Sequence, residues 1–149
     1  TNSALGAIPR LIDIGVSPDL LTGNIIGIIA QRLVRLLCKE CKQEKIADEI
    51  ECMLLGADAA HPPTICEPKG CHFCDDSGYK GRMSLMEVVK MDRDLDDLIA
   101  RKATLNELKS LARSKNILDL GDEGVRQILM GRTSLQEISR VVDLTDRLS

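Results

Sequence analysis

Two short cysteine motifs determine how the middle of this chain folds: CKEC at residues 38–41 and CHFC at residues 71–74. Each is a C-x2-C pair, a spacing that lets two sulfur atoms of one turn reach the same metal ion at about 2.3 Å. Tetrahedral zinc takes four ligands, so the two pairs together supply a complete set. The sequence therefore predicts a structural four-cysteine zinc site with Cys38, Cys41, Cys71 and Cys74 as ligands.

The spacer between the two pairs, residues 42–70, is longer than the roughly 15 to 20 residues usual for such sites. Apolar residues at helical spacing within residues 46–55 predict a short helix that fills the extra length. Cys52 and Cys66 remain as buried or free thiols, with Cys66 an alternative ligand. His61 and His72 are predicted to be bystanders, because four cysteines already complete the coordination sphere.

Other chemistries of the four cysteines are weaker alternatives. Iron in a four-thiolate site stays open, because sequence alone does not separate it from zinc. Disulfides would need an oxidising compartment, and the chain shows no secretory signal. A closed coordination sphere leaves no position for a reactive water, so the predicted metal is structural. With no phosphate-loop motif and no Ser-His-Asp set, we expect no catalytic residue in this stretch.

Outward from the cysteines, the amino-terminal stretch predicts helices and one strand. Residues 4–16 have apolar side chains at helical spacing, and Pro9 within them predicts either a kink or a helix that starts close to Ala7. Ser17 and Pro18 predict the cap and first residue of a second helix. Residues 25–37 are rich in apolar side chains, and their β-branched, nearly continuous front half predicts a strand buried on both faces, with a buried helix as the alternative.

The carboxyl-terminal part predicts a second strand over residues 82–91 and then a series of helices. Asp92 precedes the first helix, and Thr104 with Glu107 forms a capping-box pattern before the second. Residues 118–130 predict a third helix that ends at Gly131, and Thr133 or Ser134 is expected to cap the last one. Short loops between these segments predict a bundle of three or four helices.

Composition narrows the class of protein. The 149 residues are 44% hydrophobic and have a formal net charge of −3 and a pI of about 5.4, which disfavours nucleic acid as a partner. No apolar run approaches the roughly 18 to 20 residues that span a bilayer. The sole Phe and the sole Tyr, Phe73 and Tyr79, are expected to pack a small metal-centred core. The sequence begins at Thr1 without Met, so we expect a piece of a larger protein.

An ordered set of motifs resembles the carboxyl-terminal part of the secretion and pilus-assembly ATPases of the GspE/PulE type. The similarity covers essentially the whole chain. The segments that carry it are TNSA at 1–4, AIPRLIDIGV at 7–16, AQRLVRLLCKEC at 30–41, GCHFC at 70–74 and GYKGR at 78–82. The helical tail, with GDEG at 121–124 and GRT at 131–133, fits the same pattern.

The resemblance implies an α/β fragment: the last strands and helices of a RecA-like ATPase core, a tetracysteine zinc-binding insertion and a helical bundle. It implies a core end at 1–37, a zinc subdomain at 38–81, a returning strand at 82–91 and a helical subdomain at 92–149. The chain would begin just after the family's His-box histidine, with only Thr1 and Asn2 of that box. Arg32, in the QRL element, and Arg82, in the GYxGR element, are weak candidates for cofactor binding.

The family further implies a cytoplasmic homo-hexamer, peripheral to the inner membrane, that couples ATP hydrolysis with Mg²⁺ to secretion or pilus extension. Its partners would be the other subunits and inner-membrane platform proteins. The stretch itself is expected to be inactive, because it lacks the phosphate loop. The alternative is a stand-alone structural zinc module that binds protein or RNA.

Overall fold

The computed structural model describes residues 3–148, and within them the chain forms seven α-helices and four β-strands. The helices are α1 Ala7–Asp13, α2 Pro18–Leu21, α3 Glu49–Leu55, α4 Arg93–Ala100, α5 Leu105–Ser114, α6 Leu120–Leu129 and α7 Leu135–Val141. The strands are β1 Gly27–Leu37, β2 Gln43–Ile46, β3 Thr64–Glu67 and β4 Tyr79–Lys90. Two 3-10 turns span His72–Cys74 and Thr145–Leu148. The family expectation for Thr1 and Asn2 falls outside the described residues.

The strands form two separate two-stranded sheets, β1 with β4 and β2 with β3. The β2–β3 pair is antiparallel, with Gln43 opposite Glu67 and Ile46 opposite Thr64. Backbone bonds at the two ends of the other sheet show that it is antiparallel too. The N–H of Cys38 donates to the Gly78 carbonyl, and the N–H of Met91 donates to the Ile26 carbonyl. The fold is therefore a small α/β arrangement, consistent with a fragment of an ATPase.

The chain divides into two compact units, each built from two separate segments. The first unit combines residues 1–31 with 86–120, and the second combines residues 32–85 with 121–149. The core of the first unit is aliphatic apart from one sulfur, with α1, α4 and α5 as its main contributors. Its buried members are Ala4, Leu5, Ile8, Leu21, Val89, Met91, Leu95, Ile99, Leu108 and Ala112.

Helix α1 begins at Ala7, which confirms the predicted start. Pro9 is the third residue of this helix. The first-turn N–H groups of a helix have no intrahelical acceptor, so a proline there removes no hydrogen bond.

The next helix, α2, confirms its predicted cap, since the Ser17 side chain accepts a hydrogen bond from the Asp19 N–H and Pro18 is the first helical residue.

Strand β1 was expected to be buried on both faces, and that expectation is wrong. Its side chains alternate between more and less exposed positions, with Val34 and Leu37 buried but Ile29 and Leu33 exposed. Strand β4 alternates in the same way, with Met86 among its exposed residues. The physical reason is that β1 pairs only with β4, and packing covers one face of this ribbon within residues 3–148.

A buried carboxylate joins several segments of the first unit. Glu87, on β4, accepts a hydrogen bond from the backbone N–H of Ala4. A second backbone bond comes from Leu120, the first residue of α6. Burial raises the pKa of Glu87, an effect that these two N–H donors reduce without cancelling.

The predicted helix within residues 46–55 exists, but it begins later and buries a different face. Ile46 ends β2 instead, and Asp48 caps α3 in a capping box with Glu51. Cys52 and Leu55 are buried, whereas Ile50 and Met53 point to solvent. Apolar spacing predicted the helix correctly, but it did not reveal which apolar residues face the protein.

The carboxyl-terminal helices follow the predicted caps. The side chains of Asp92, Thr104 and Ser134 each accept a hydrogen bond from the N–H three residues on, so Ser134 is the last cap. Helices α4 and α5 belong to the first unit, whereas α6 beyond Leu120 and α7 belong to the second. The predicted helices are thus confirmed, but their assembly into one bundle is not. Among residues 3–148, no helix combines the length and apolar character needed to cross a membrane.

Candidate metal centre

Two tight turns bring the four predicted cysteines together in the second unit. The first follows β1, where the N–H of Lys42 donates to the Cys38 carbonyl at 3.0 Å. The second is the His72–Cys74 turn, where the N–H of Asp76 donates to the Cys71 carbonyl at 2.8 Å. Each turn presents its pair of sulfur atoms to the other, so residues far apart in sequence share one site.

The sulfur positions have the dimensions of a metal site. The Sγ atoms of Cys38, Cys41, Cys71 and Cys74 all lie within 4.8 Å of one another. Three of the sulfur–sulfur distances, Cys38–Cys71, Cys41–Cys74 and Cys71–Cys74, are 3.8 Å. A tetrahedron with metal–sulfur bonds of about 2.3 Å has edges of about 3.8 Å. A disulfide would need about 2.05 Å, so the spacing fits metal ligands rather than bridged sulfurs.

Backbone N–H groups point at two of these sulfurs. Gly70 donates to the Cys41 Sγ at 3.3 Å, and Cys71 and Gly78 donate to the Cys74 Sγ at 3.3 and 3.2 Å. At Cys74, burial raises the pKa, but the N–H donors and the thiols of Cys71 and Cys41 together outweigh burial and lower the pKa to about 6. At Cys71, burial dominates and raises the pKa to about 11. N–H donors favour the thiolate, which is the metal-binding form.

Two glycines make the second turn possible. Gly70 and Gly78 have φ angles of 112° and 82°, in the region that side chains rarely adopt. A Cβ at Gly70 would lie 2.8 Å from the Asp76 carbonyl oxygen, and one at Gly78 would lie 2.5 Å from the Pro68 Cβ. The close approach of these backbones is what aims the N–H groups at the sulfurs.

The remaining cysteines and histidines lie outside the cluster, which contains only the four predicted ligands among the described residues. Cys52 is on the buried side of α3, and its thiol donates to the Ala47 carbonyl at 3.8 Å. Cys66 is buried on β3 and lies outside the cluster, so it does not replace a ligand in this geometry. His72 stacks on Phe73, with ring centroids 4.2 Å apart.

The two aromatic residues do not pack a metal-centred core as expected. Phe73 is 51% exposed. Tyr79 is half-buried beneath the Arg35 guanidinium, whose carbon lies 4.1 Å from the ring centroid. The buried side chains of the lobe are instead cysteines and small or aliphatic residues such as Leu55 and Ile65.

A charged network in the same unit was not foreseen from the sequence. The Glu137 carboxylate is fully buried and accepts hydrogen bonds from the guanidinium groups of Arg35 and Arg140 and from the Arg35 N–H. Burial alone would raise its pKa, but these donors lower it to about 2. The Tyr79 hydroxyl shares a hydrogen bond of 2.6 Å with that of Ser134, the α7 cap. Only the Glu137–Arg140 spacing hinted at a local pair.

Arg32 lies on β1 and Arg82 on β4, both in the second unit. Arg82 is exposed and Arg32 half-buried. Their role in binding a cofactor stays a prediction.

The sequence also matches known proteins. The family model "Type II/IV secretion system protein" matches residues 1–140. Type II secretion system protein E of Pseudomonas aeruginosa is 44% identical over 141 residues, covering 95% of this chain and 28% of the relative. Type IV pilus assembly ATPase TfpB of Acinetobacter baylyi is 43% identical over 147 residues, covering 97% and 25%. Type II secretion system ATPase E of Vibrio cholerae is 35% identical over 141 residues, covering 95% and 28%.

These matches extend over nearly the whole sequence, including both cysteine turns. The chain spans about a quarter of the length of these relatives. It belongs to the type II/IV secretion system protein family, in the region of the secretion and pilus-assembly ATPases.

Proposed function

We propose that this chain is the carboxyl-terminal region of a hexameric ATPase that couples ATP hydrolysis to protein secretion or pilus extension. The names of the relatives in Vibrio cholerae and Acinetobacter baylyi support an ATPase. The sequence in hand contains no G-x-x-x-x-G-K-[ST] motif. ATP and Mg²⁺ would therefore be held mainly by the larger protein, and this stretch would be inactive alone.

The exposed face of the β1–β4 ribbon supports membership in a larger core. Ile29, Met86 and Val88 are large apolar side chains that stand on this face. A two-stranded sheet is marginally stable in water, and more strands or a covering layer are needed to stabilise it. Burial against the remaining sheet of a RecA-like core would supply both.

We assign a structural Zn²⁺ to the four cysteines, because the 3.8 Å sulfur spacing carries this part of the proposal. Four thiolates fill a tetrahedral sphere, so the ion would organise the chain and activate no water. Its ligands would be Cys38, Cys41, Cys71 and Cys74. The metal lobe, residues 38–81, then separates the end of the ATPase core (1–37) from a returning strand (82–91) and a helical subdomain (92–149).

In the whole protein, the metal lobe would be a rigid contact point beside the nucleotide site. It would dock on the inner-membrane platform or on a neighbouring subunit, and pass ATP-driven motion to the machinery. A cytoplasmic location, peripheral to the inner membrane, follows from that role. Arg32 and Arg82 would lie toward the nucleotide core and are candidates for contact with it.

The test uses the full-length protein with Cys38→Ala and Cys71→Ala together, measured for ATP hydrolysis and for secretion or pilus assembly. We expect loss of zinc, by elemental analysis, and loss of transport. Cys66→Ala is the matched control, because it removes a buried cysteine outside the cluster. A double variant that retains both its fold and transport would refute the role of the lobe.

A second measurement tests the ATPase itself. The gene should encode a phosphate loop and a terminal His-box histidine in the roughly 200 residues before Thr1, which is the length a nucleotide-binding domain needs. A degenerate phosphate loop there would indicate an inactive homologue instead.

A further inference from the structure

The outer face of α3 is an apolar stripe on the surface of the metal lobe. Ile50 and Met53 are 62% and 46% exposed, and Leu54 is partly exposed beside them. Positions three and four apart lie on one side of a helix, so these three side chains adjoin. The opposite side is already packed, with Cys52 and Leu55 buried. The exposed stripe is therefore not needed to attach α3 to its own unit.

Negative charge borders this stripe on both sides. Glu49 is one helical turn from Met53, and Glu51 is three positions from Leu54. Residues 44–58 hold five acidic side chains and one basic one, Lys45. Lys45 pairs with Glu51 at 2.9 Å, so these two charges offset each other and the exposed Glu49 is the carboxylate beside the stripe that faces solvent. The stripe is thus an apolar surface in an acidic frame.

The helix that carries the stripe is held firmly at both ends. Asp48 and Glu51 close a capping box at the start, and Gly56 ends the helix in a left-handed conformation. The Arg147 side chain donates to the Leu54 carbonyl at 2.6 Å and pairs with Asp122 at 3.0 Å. A surface that is already ordered loses little conformational entropy when a partner binds.

We propose that the α3 outer face binds a basic amphipathic helix of a membrane-anchored partner. Such a helix presents apolar residues on one side, which would cover Ile50 and Met53, and flanking Lys or Arg, which would meet the exposed Glu49. Cytoplasmic segments of membrane proteins are enriched in Lys and Arg, so they have the required charge. The acidic frame repels anionic lipid headgroups and nucleic acid. This inference rests on the docking role proposed above and names its chemistry.

The test uses the zinc-loaded chain and a fluorescent synthetic peptide with leucines on one helical face and lysines elsewhere. Binding is followed by anisotropy at low and high salt. Ile50→Ser with Met53→Ser should weaken binding by about tenfold or more, because both apolar contacts are lost. Glu49→Lys should weaken it by a few-fold at low salt and reduce its salt dependence. Ile14→Ser, at another exposed isoleucine, is the matched control and should bind like the parent.

Three outcomes would overturn the inference. The first is peptide affinity unchanged by Ile50→Ser with Met53→Ser, which would show that charge alone drives binding. The second is equal affinity for a scrambled peptide of the same composition, whose leucines do not share a face. The third is preferential binding to vesicles of anionic lipid. Elemental analysis of the same samples reports zinc separately, so failure here is distinct from failure of the proposed metal site.

Discussion

The first unit and the metal lobe differ in what they bury within one short chain. The first unit buries aliphatic side chains from α1, α4 and α5 around residues such as Leu95 and Leu108. The metal lobe instead gathers four sulfurs around a small centre, with its main aromatic ring, Phe73, exposed. If the proposed metal is bound, the lobe would depend on its ligands for order, whereas the first unit depends on side-chain packing.

The two units also use buried carboxylates differently. Glu87, in the first unit, accepts backbone N–H groups, and burial keeps its pKa above the ordinary value. Glu137, in the second unit, is buried against two guanidinium groups, and its pKa is about 2. The same type of side chain therefore has a raised pKa in one unit and a lowered pKa in the other.

The largest expected effect is that loss of metal unfolds the metal lobe and leaves the first unit folded. Structural zinc sites contribute about 10 to 16 kcal/mol of apparent binding free energy, so Cys71→Ser or chelation should unfold residues 38–81. Hydrogen-exchange mass spectrometry should show lost protection there and retained protection in α4 and α5. Cys52→Ala, outside the cluster, should retain its metal. Equal protection of residues 38–81 with and without metal would show that metal does not stabilise the lobe.

The complementary substitution removes a buried side chain from the aliphatic core of the first unit. Leu95 is fully buried, and Leu95→Ala should lower the free energy of unfolding by about 2 to 5 kcal/mol through lost contacts and a cavity. Urea denaturation monitors the loss, and metal content should stay at one ion per chain. Leu20→Ala, at an exposed leucine, should change stability by no more than about 0.5 kcal/mol. Loss of metal in Leu95→Ala would mean that the units are not independently stabilised.

Glu137→Gln should destabilise the second unit in a pH-dependent way. A pKa of about 2, against an ordinary 4.5, corresponds to about 3 kcal/mol of stabilisation. Because the folded-state pKa is lowered, this stability is fully present above the ordinary value and is lost as pH falls toward 2. The stability difference between parent and variant, from urea titrations at each pH, should shrink over that range.

Glu87→Gln is the control, because the pKa of Glu87 is shifted in the opposite direction to that of Glu137. Its folded-state pKa is raised, so the contribution of Glu87 is fully present below the ordinary value and is lost as pH rises through the folded-state pKa. A Glu137→Gln variant whose deficit does not diminish in acid would contradict the lowered pKa of Glu137.

The smallest effect concerns one helix cap in the first unit. Thr104 accepts a hydrogen bond from the Glu107 N–H at 3.2 Å and closes a capping box. Thr104→Ala should lower stability by about 1 kcal/mol, measured by thermal unfolding followed by circular dichroism. Ser110→Ala, at an exposed position within α5, is the control and should have little effect. A loss of equal size in both variants would rule out the cap as its cause.

Local chemistry was predictable from the sequence wherever neighbouring residues determine it. The two C-x2-C turns identified all four members of the sulfur cluster, and Asp92, Thr104 and Ser134 marked helix starts, because capping depends on residues within one turn. Long-range pairing was not predictable in this way. The contact of Arg35 with Glu137 joins residues 102 positions apart, and no local pattern reports it.

The sequence also did not show which apolar residues are buried. Ile29 in β1 and Ile50 in α3 are apolar residues that face solvent, so hydrophobicity predicted the elements correctly and their buried faces incorrectly. An apolar residue on the surface carries the same sequence signal as one in a core.

The single hydrogen bond between the Cys38 N–H and the Gly78 carbonyl has a consequence for how this region can change over time. The lobe leaves and rejoins the ribbon at one point, as the loop of a very long hairpin would. Loop-closure entropy grows only slowly with length, so insertions or deletions between the cysteine turns need not disturb the strands. The paired strands β1 and β4 should therefore tolerate a change of loop length within the lobe, provided that the contacts of Lys42 with Gly131 and of Leu54 with Arg147 are kept.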